Sequence, residues 1–207
     1  MQIALVLYPR FTMLDIVGPF QVLADVPGNE IVWVAESPGH VVDHTGVAGI
    51  TATHGFDEVS SPDIIVVPGG GANDFNPALD AWIKQVHPTT TWTTSVCTGS
   101  IHLAMAGLLN DQAATSHWAY RGRLSELGAT YTEQRVVKAG KVITAAGVSA
   151  GIDMALTLLA ETHDDTTAQA VQLLIEYDPQ PPFDCGAPSK APAHVLAAAG
   201  AVWKGVV

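Results

Sequence analysis

Apolar residues fall along this chain in short continuous runs rather than in strict alternation, and the runs recur at the spacing of an α/β protein. Residues 2–8, 31–35, 64–67 and 91–96 each read as a strand buried on both faces. Between them the period lengthens to that of helices. Met13, Leu14, Val17, Phe20, Val22 and Leu23 form one apolar stripe, which Pro27-Gly28 closes, and a second helix is expected over 77–86 with Pro77 at its start. Residues 40–53 alternate around Thr45-Gly46, the pattern of an antiparallel hairpin or edge flap. Helix formers over 101–109 follow the fourth strand. A short strand at 112–115 precedes a helix expected over 118–127. Residues 134–138 and 141–145 flank the turn Ala139-Gly140 and read as a second hairpin. A helix over 150–162 is apolar nearly all round, hence buried. Asp164 and its neighbours offer caps for one running to about Tyr177. Five prolines between 178 and 192 mark an extended arm, and an Ala-rich helix over 194–203 follows it. This order predicts a doubly wound, mostly parallel sheet with helices on both faces and a small antiparallel hairpin, a flavodoxin-like arrangement spanning residues 1–207 as one domain.

Composition narrows the function classes. Hydrophobic residues make up 48% of the 207 and charged ones 14%, so the chain is expected to bury a substantial core. A net charge of −11 with only nine scattered Lys and Arg argues against nucleic acid as a partner. No apolar stretch approaches the roughly eighteen residues of a membrane span, and the first strand follows Met1 without a basic region or cleavage site. Two cysteines are too few for a disulfide scaffold, so a cytoplasmic location is expected.

The chemistry concentrates at Cys97. The β-branched run Thr91-Trp92-Thr93-Thr94-Ser95-Val96 stops there and gives way to Thr98-Gly99-Ser100 and a helix. A strand that enters a helix through one nucleophilic residue and small neighbours is the pattern of a nucleophile elbow, which projects its side chain from the carboxyl edge of the sheet; the alternative is a small apolar residue filling a buried strand end. Helix N–H groups behind the turn favour an anion, so the thiol is expected to ionise below its reference value of about 8.5. A bridge from Cys97 to Cys185 would consume the nucleophile, and both are read as free thiols.

Two other loops reach the same sheet edge. The run Gly69-Gly70-Gly71 leaves a strand end with no side chains in the way. It is either a plain turn or a set of N–H groups for a bound atom; no Lys follows at the offset of a phosphate loop. Asp15 lies between Leu14 and Ile16 in a run apolar enough to bury it. It is either a helix N-cap or an acid beside the thiol, sharing one proton with it. His117 reads equally as a hydrogen-bonded structural histidine and as a residue facing the site. His40 and His44 have i,i+4 spacing but fall in a turn region, so no metal site is read there.

These features together resemble the ThiJ/PfpI superfamily, with its class I glutamine amidotransferase-like fold, and within it the isonitrile hydratase branch. The resemblance is carried by Leu14-Asp15-Ile16-Val17-Gly18-Pro19, Val67-Pro68-Gly69-Gly70 and Ser95-Val96-Cys97-Thr98-Gly99-Ser100. It continues in Thr115-Ser116-His117-Trp118-Ala119-Tyr120, Ala150-Gly151-Ile152-Asp153 and Tyr177-Asp178-Pro179-Gln180-Pro181-Pro182-Phe183. Protease-like members carry His directly after the nucleophile, where this chain has Thr98. Glyoxalase-like members usually carry Glu at the place of Asp15. Sensor domains of AraC-type regulators add a helix-turn-helix pair, for which no room is read before Val207.

The resemblance implies a lyase that hydrates a small-molecule isonitrile without a cofactor. Cys97 would be its nucleophile and Asp15 its acid–base, with Thr98 orienting the acid or the water. Gly70, Gly71, His117, Trp118 and Ile152 would line the substrate site. A homodimer is implied as well. A glyoxalase or deglycase and a ligand sensor are the alternatives that the resemblance leaves.

Overall fold

The computed structural model describes residues 1–71 and 76–203. In chain order the elements are β1 (Gln2–Val6), α1 (Met13–Leu23), β2 (Glu30–Ala35), β3 (Gly39–Val42), β4 (Gly49–Ala52), β5 (His54–Gly55), β6 (Ile64–Val67), α2 (Pro77–Val86) and β7 (Trp92–Val96). There follow α3 (Gly99–Met105), β8 (Ala113–Ala114), a 3₁₀ turn at Trp118–Tyr120, α4 (Arg121–Glu126), β9 (Thr130–Tyr131), β10 (Val136–Ala139), β11 (Val142–Ala145), α5 (Ala150–Thr162), α6 (Asp165–Leu174) and α7 (Ala193–Trp203).

Seven strands form one sheet in the order β10-β11-β7-β6-β1-β2-β5. Every neighbour in it is parallel except β10, which runs antiparallel to β11. The central strand β6 and its neighbour β1 are buried at almost every position, which is why their sequences do not alternate. The hairpin β3–β4 stands apart, with Gly39 opposite Ala52 and Val42 opposite Gly49. The expected α/β layering and hairpin are both present.

Three boundaries differ from the expectation, each for a local reason. The helix after Cys97 ends at Met105 rather than Leu109, because Gly107 takes φ +81 and turns the chain out of the helix. The helix expected over 118–127 is a 3₁₀ turn followed by α4, since Tyr120 at φ −107, ψ 8 breaks the helical geometry between them. Near Tyr177, α6 stops at Leu174; the chain turns at Glu176 (φ 50), and the Tyr177 hydroxyl donates to Asp153 Oδ2 at 3.1 Å. Residues 178–192 hold no helix or strand, as the prolines predict.

The topology places β6, β7 and β11 side by side, so the loops leaving their carboxyl ends converge. The loop after β1 joins them: Thr12 N–H donates to Gly69 O at 2.8 Å, and Phe11 bridges Gly70. No helix among the described residues is long and apolar enough to cross a membrane.

Candidate active site

Cys97 terminates β7 with φ 58, a left-handed conformation that costs a side-chain-bearing residue about 1 kcal/mol or more. Its surroundings hold it there. The Cys97 N–H is shared between Ala145 O and Ala146 O, both at 3.1 Å, and the Cys97 carbonyl accepts the hydroxyls of Ser100 and Ser116, each at 3.1 Å. Gly99 is required just beyond, since a Cβ there would run into the carbonyl oxygens of Val67 and Pro68. The elbow is present as the sequence predicts, and Cys97 is 2% exposed.

Asp15 is the third residue of α1 and is fully buried. Thr12 occupies the N-cap position, so Asp15 is not the cap but a buried acid in the first turn of the helix. Its Oδ2 accepts the Gly69 N–H at 2.8 Å, while Oδ1 has no hydrogen-bond partner among the described residues. Burial pushes the carboxyl up from its ordinary 3.8 to about 7, against the lowering effects of the Gly69 amide and Cys97. The Cys97 thiol is also raised, well above its ordinary value, first by burial and then by the charge of Asp15. N–H groups of Val148 and Thr98 pull the other way but do not prevail. The expected lowering of the thiol is therefore corrected. The start of α3 contributes through Thr98, yet loss of solvent around the sulfur outweighs one amide. Both groups are raised and each disfavours ionisation of the other, so the two titrate as a coupled pair in which the carboxyl gives up its proton before the thiol.

Gly69 lies at the centre of the arrangement. A Cβ on it would come within 2.7 Å of Asp15 Oδ2, Thr98 N and Thr98 Oγ1. Only glycine lets the loop, the acid and the elbow meet this closely. The Gly70 N–H donates to Thr98 Oγ1 at 2.9 Å, and the same hydroxyl lies 3.1 Å from Gly70 O. Thr98 thus clamps the glycine loop, and the Gly69 and Gly70 amides are engaged within the protein. Gly71 follows, half-buried.

A cleft of about 530 Å³ lies beside the elbow, lined by the loops after β8 and β11 rather than by Cys97 or Asp15 themselves. Ser116 and Val148 belong to its wall and are also neighbours of Cys97: the Ser116 hydroxyl donates to the Cys97 carbonyl, and the Val148 amide favours the ionised thiol. His117 and Trp118 also line it. His117 Nδ1 accepts the Ala119 N–H at 3.3 Å, and burial lowers the pKa of the ring, so it is neutral at neutral pH. Ile152 is placed elsewhere. It belongs to α5, against α1, where a Cβ on Gly18 would lie 3.1 Å from Ile152 Cγ1. Cys185 is a free, half-buried thiol in the arm.

Val148 and Gly69 are the residues that sequence reasoning undervalued. Val148 has φ 28, an unusual conformation for a β-branched residue, and it aims an N–H at the thiol. The available signal was the position of Gly147-Val148-Ser149 just past β11, the strand beside the elbow strand.

Residues 1–161 match the DJ-1/PfpI family. The chain belongs to that family. Among DJ-1/PfpI relatives, the isonitrile hydratase of Pseudomonas putida is 41% identical over 200 residues, which cover 95% of this chain and 87% of that protein. The glutathione-independent glyoxalase DJ-1 of Schizosaccharomyces pombe is 27% identical over 160 residues, covering 72% of this chain and 83% of the relative. A crystal structure of a ThiJ/PfpI family protein from Pseudomonas syringae superposes with a TM-score of 0.92 at 38% identity, covering 99% of this chain and 86% of that one. The DJ-1/PfpI fold is that of the parallel sheet described above.

Proposed function

We propose that the protein hydrates isonitriles to N-substituted formamides at Cys97. The observation that carries this reading is the pairing of a strained, buried thiol with a carboxyl whose pKa is raised to about 7. Similarity over almost the whole chain to a hydratase of that specificity supports it.

The geometry supports a sequence of proton movements. With Oδ2 engaged by Gly69, Oδ1 is the oxygen of Asp15 that carries the shared proton. Cys97 passes its thiol proton to Asp15 as it adds to the terminal carbon of R–N≡C, and the Val148 and Thr98 amides steady the thiolate that forms. Asp15 delivers its proton to that carbon, giving the thioimidate Cys97–S–CH=N–R and a carboxylate. The carboxylate then takes a proton from water as the oxygen attacks the same carbon, and passes that proton to nitrogen. As the C–S bond breaks, the hydroxyl proton returns to Asp15, the thiolate is regenerated, and HC(=O)–NH–R leaves. Atoms balance as isonitrile plus water, and no cofactor enters.

Thr98 acts by holding Gly70 and the loop that carries Gly69, rather than through water. Gly70 and Gly71 form the close backbone wall of the site, and His117 and Trp118 line the cleft that receives R. Ile152 contributes through the packing of α5 on α1. We further propose a homodimeric, cytoplasmic enzyme.

The test is a panel of isonitriles, with methylglyoxal alongside, followed by proton NMR. Formyl resonances from the isonitriles and no lactate from methylglyoxal are expected. Lactate without formamide would establish the glyoxalase reading instead.

A further inference from the structure

The 530 Å³ cleft has three walls of different origin. One comes from the loops after β8 and β11, with Ser116, Trp118 and Val148; a second comes from Tyr131 and the exposed stretch Glu133, Gln134 and Arg135 before β10. The third is formed by Gly186, Ala187, Pro188 and Ser189 of the proline-rich arm. That arm lies beyond residue 161, where the match to the family ends, whereas the alignment with the isonitrile hydratase takes in 95% of the chain. The catalytic pair and the elbow therefore belong to the shared module, and the third wall of the cleft does not.

We infer that residues 186–189 form a specificity wall that sets how large an R group can sit over Cys97. Ala187 and Pro188 are half-buried and border both this cleft and a smaller cavity of about 90 Å³. Trp118 is common to both, and Val195 and Ala199 of α7 close the smaller cavity behind the arm. The arm is thus braced between Trp118 and α7, which gives it a defined position against the cleft. The chemistry of the walls selects a neutral, largely apolar R. Leu14, Trp118, Tyr131, Ala146, Val148 and Pro188 supply apolar surface. The Arg135 guanidinium at the rim is engaged by Asp153 Oδ2 at 2.6 Å and by the Ser149 hydroxyl at 3.1 Å. An anionic R group would therefore compete with an ion pair already formed.

This inference concerns the same cleft as the proposed hydration, and its turnover arm rests on that reading; its alkylation arm does not. Ala187→Trp narrows the cleft from the arm, and Pro188→Ala widens it, with neither residue touching Cys97 or Asp15 in the mechanism above. In the full-length protein, alkylation of Cys97 by iodoacetamide and by a bulky N-aryl iodoacetamide is followed by mass spectrometry. Ala187→Trp should lower the bulky-to-small rate ratio by about tenfold or more, the discrimination that one or two methylenes give in a shaped pocket. Pro188→Ala should hold or raise it. Turnover of cyclohexyl against methyl isonitrile should follow the same order. An unchanged ratio in Ala187→Trp, or equal slowing of both reagents, overturns the wall. If the alkylation ratios move as expected while no isonitrile is hydrated, the wall stands and the proposed reaction fails.

Discussion

Asp15 and Gly69 lie 54 residues apart in the chain and meet in a buried 2.8 Å hydrogen bond from the Gly69 amide to Asp15 Oδ2. That single contact fixes which carboxyl oxygen is engaged and which remains to carry a proton. It depends on a residue without a side chain. Gly69→Ala would put a methyl 2.7 Å from Asp15 Oδ2 and from Thr98 N and Oγ1. Displacement of the acid or the elbow by even about 1 Å is worth on the order of 10²-fold in rate. Formamide production by Gly69→Ala should fall at least that far, and thermal unfolding should report a lower midpoint. Wild-type turnover in this variant would mean that the loop does not position the acid.

Asp15 also makes stability depend on pH, with a definite sign. Its folded pKa of about 7 lies above the unfolded value near 3.8, so between these limits the folded protein holds the proton and the unfolded chain does not. Stability therefore falls as pH rises through that window, because an increasing share of the unfolded ensemble is ionised while the buried carboxyl resists. Asp15→Asn has no such titration. Relative to wild type, its melting temperature should improve from pH 4 to pH 8, and a difference independent of pH would exclude a raised carboxyl.

The same coupling is readable at sulfur. Ionised Asp15 is the second cause that raises the Cys97 thiol, after burial. In Asp15→Asn that charge is gone, so the pH midpoint for alkylation of Cys97 by iodoacetamide should move down, though burial keeps it above that of a free thiol. A midpoint that stays in place or rises would separate the two groups electrostatically. Turnover of the same variant should drop by roughly 10²–10⁴, the usual worth of general acid–base help.

Thr98 gives a contrasting case, in which the hydroxyl acts through the backbone. It accepts the Gly70 N–H and lies within hydrogen-bond reach of Gly70 O, in a site where Thr98 is 5% exposed. Thr98→Val keeps the shape and removes both contacts, so chemical denaturation should show a loss of about 1–3 kcal/mol, the range for a buried polar group left unpaired. The conservative Thr98→Ser should recover most of both stability and rate. Loss of rate with no loss of stability would return the hydroxyl to a direct role on water or acid.

These residues also mark where a sequence can be read and where it cannot. β1 and β6 were legible because strands buried on both faces must be apolar throughout, and the Cys97 elbow because a β-branched run ending in small residues allows little else. The hairpin at 39–52 was legible from its alternation. The partner of Asp15 was not, since any of three glycines satisfies the same pattern and only the fold selects Gly69. Val148 was hidden for a related reason: a positive φ at a valine is imposed by packing, against its own preference. The direction of the thiol pKa is not legible, because the helix start is visible in sequence, whereas the depth of burial that outweighs it is a property of the assembled sheet. Ile152, placed by resemblance, packs on Gly18.

The account rests on Cys97 as the atom that meets the substrate, and one comparison reaches that claim directly. Wild-type protein and Cys97→Ala, each verified as folded by circular dichroism, are incubated with cyclohexyl isonitrile while the formyl proton of the product is followed by NMR. The wild type should accumulate N-cyclohexylformamide steadily, and Cys97→Ala should remain at the rate of the buffer. Formamide production that survives the loss of Cys97 would contradict the account.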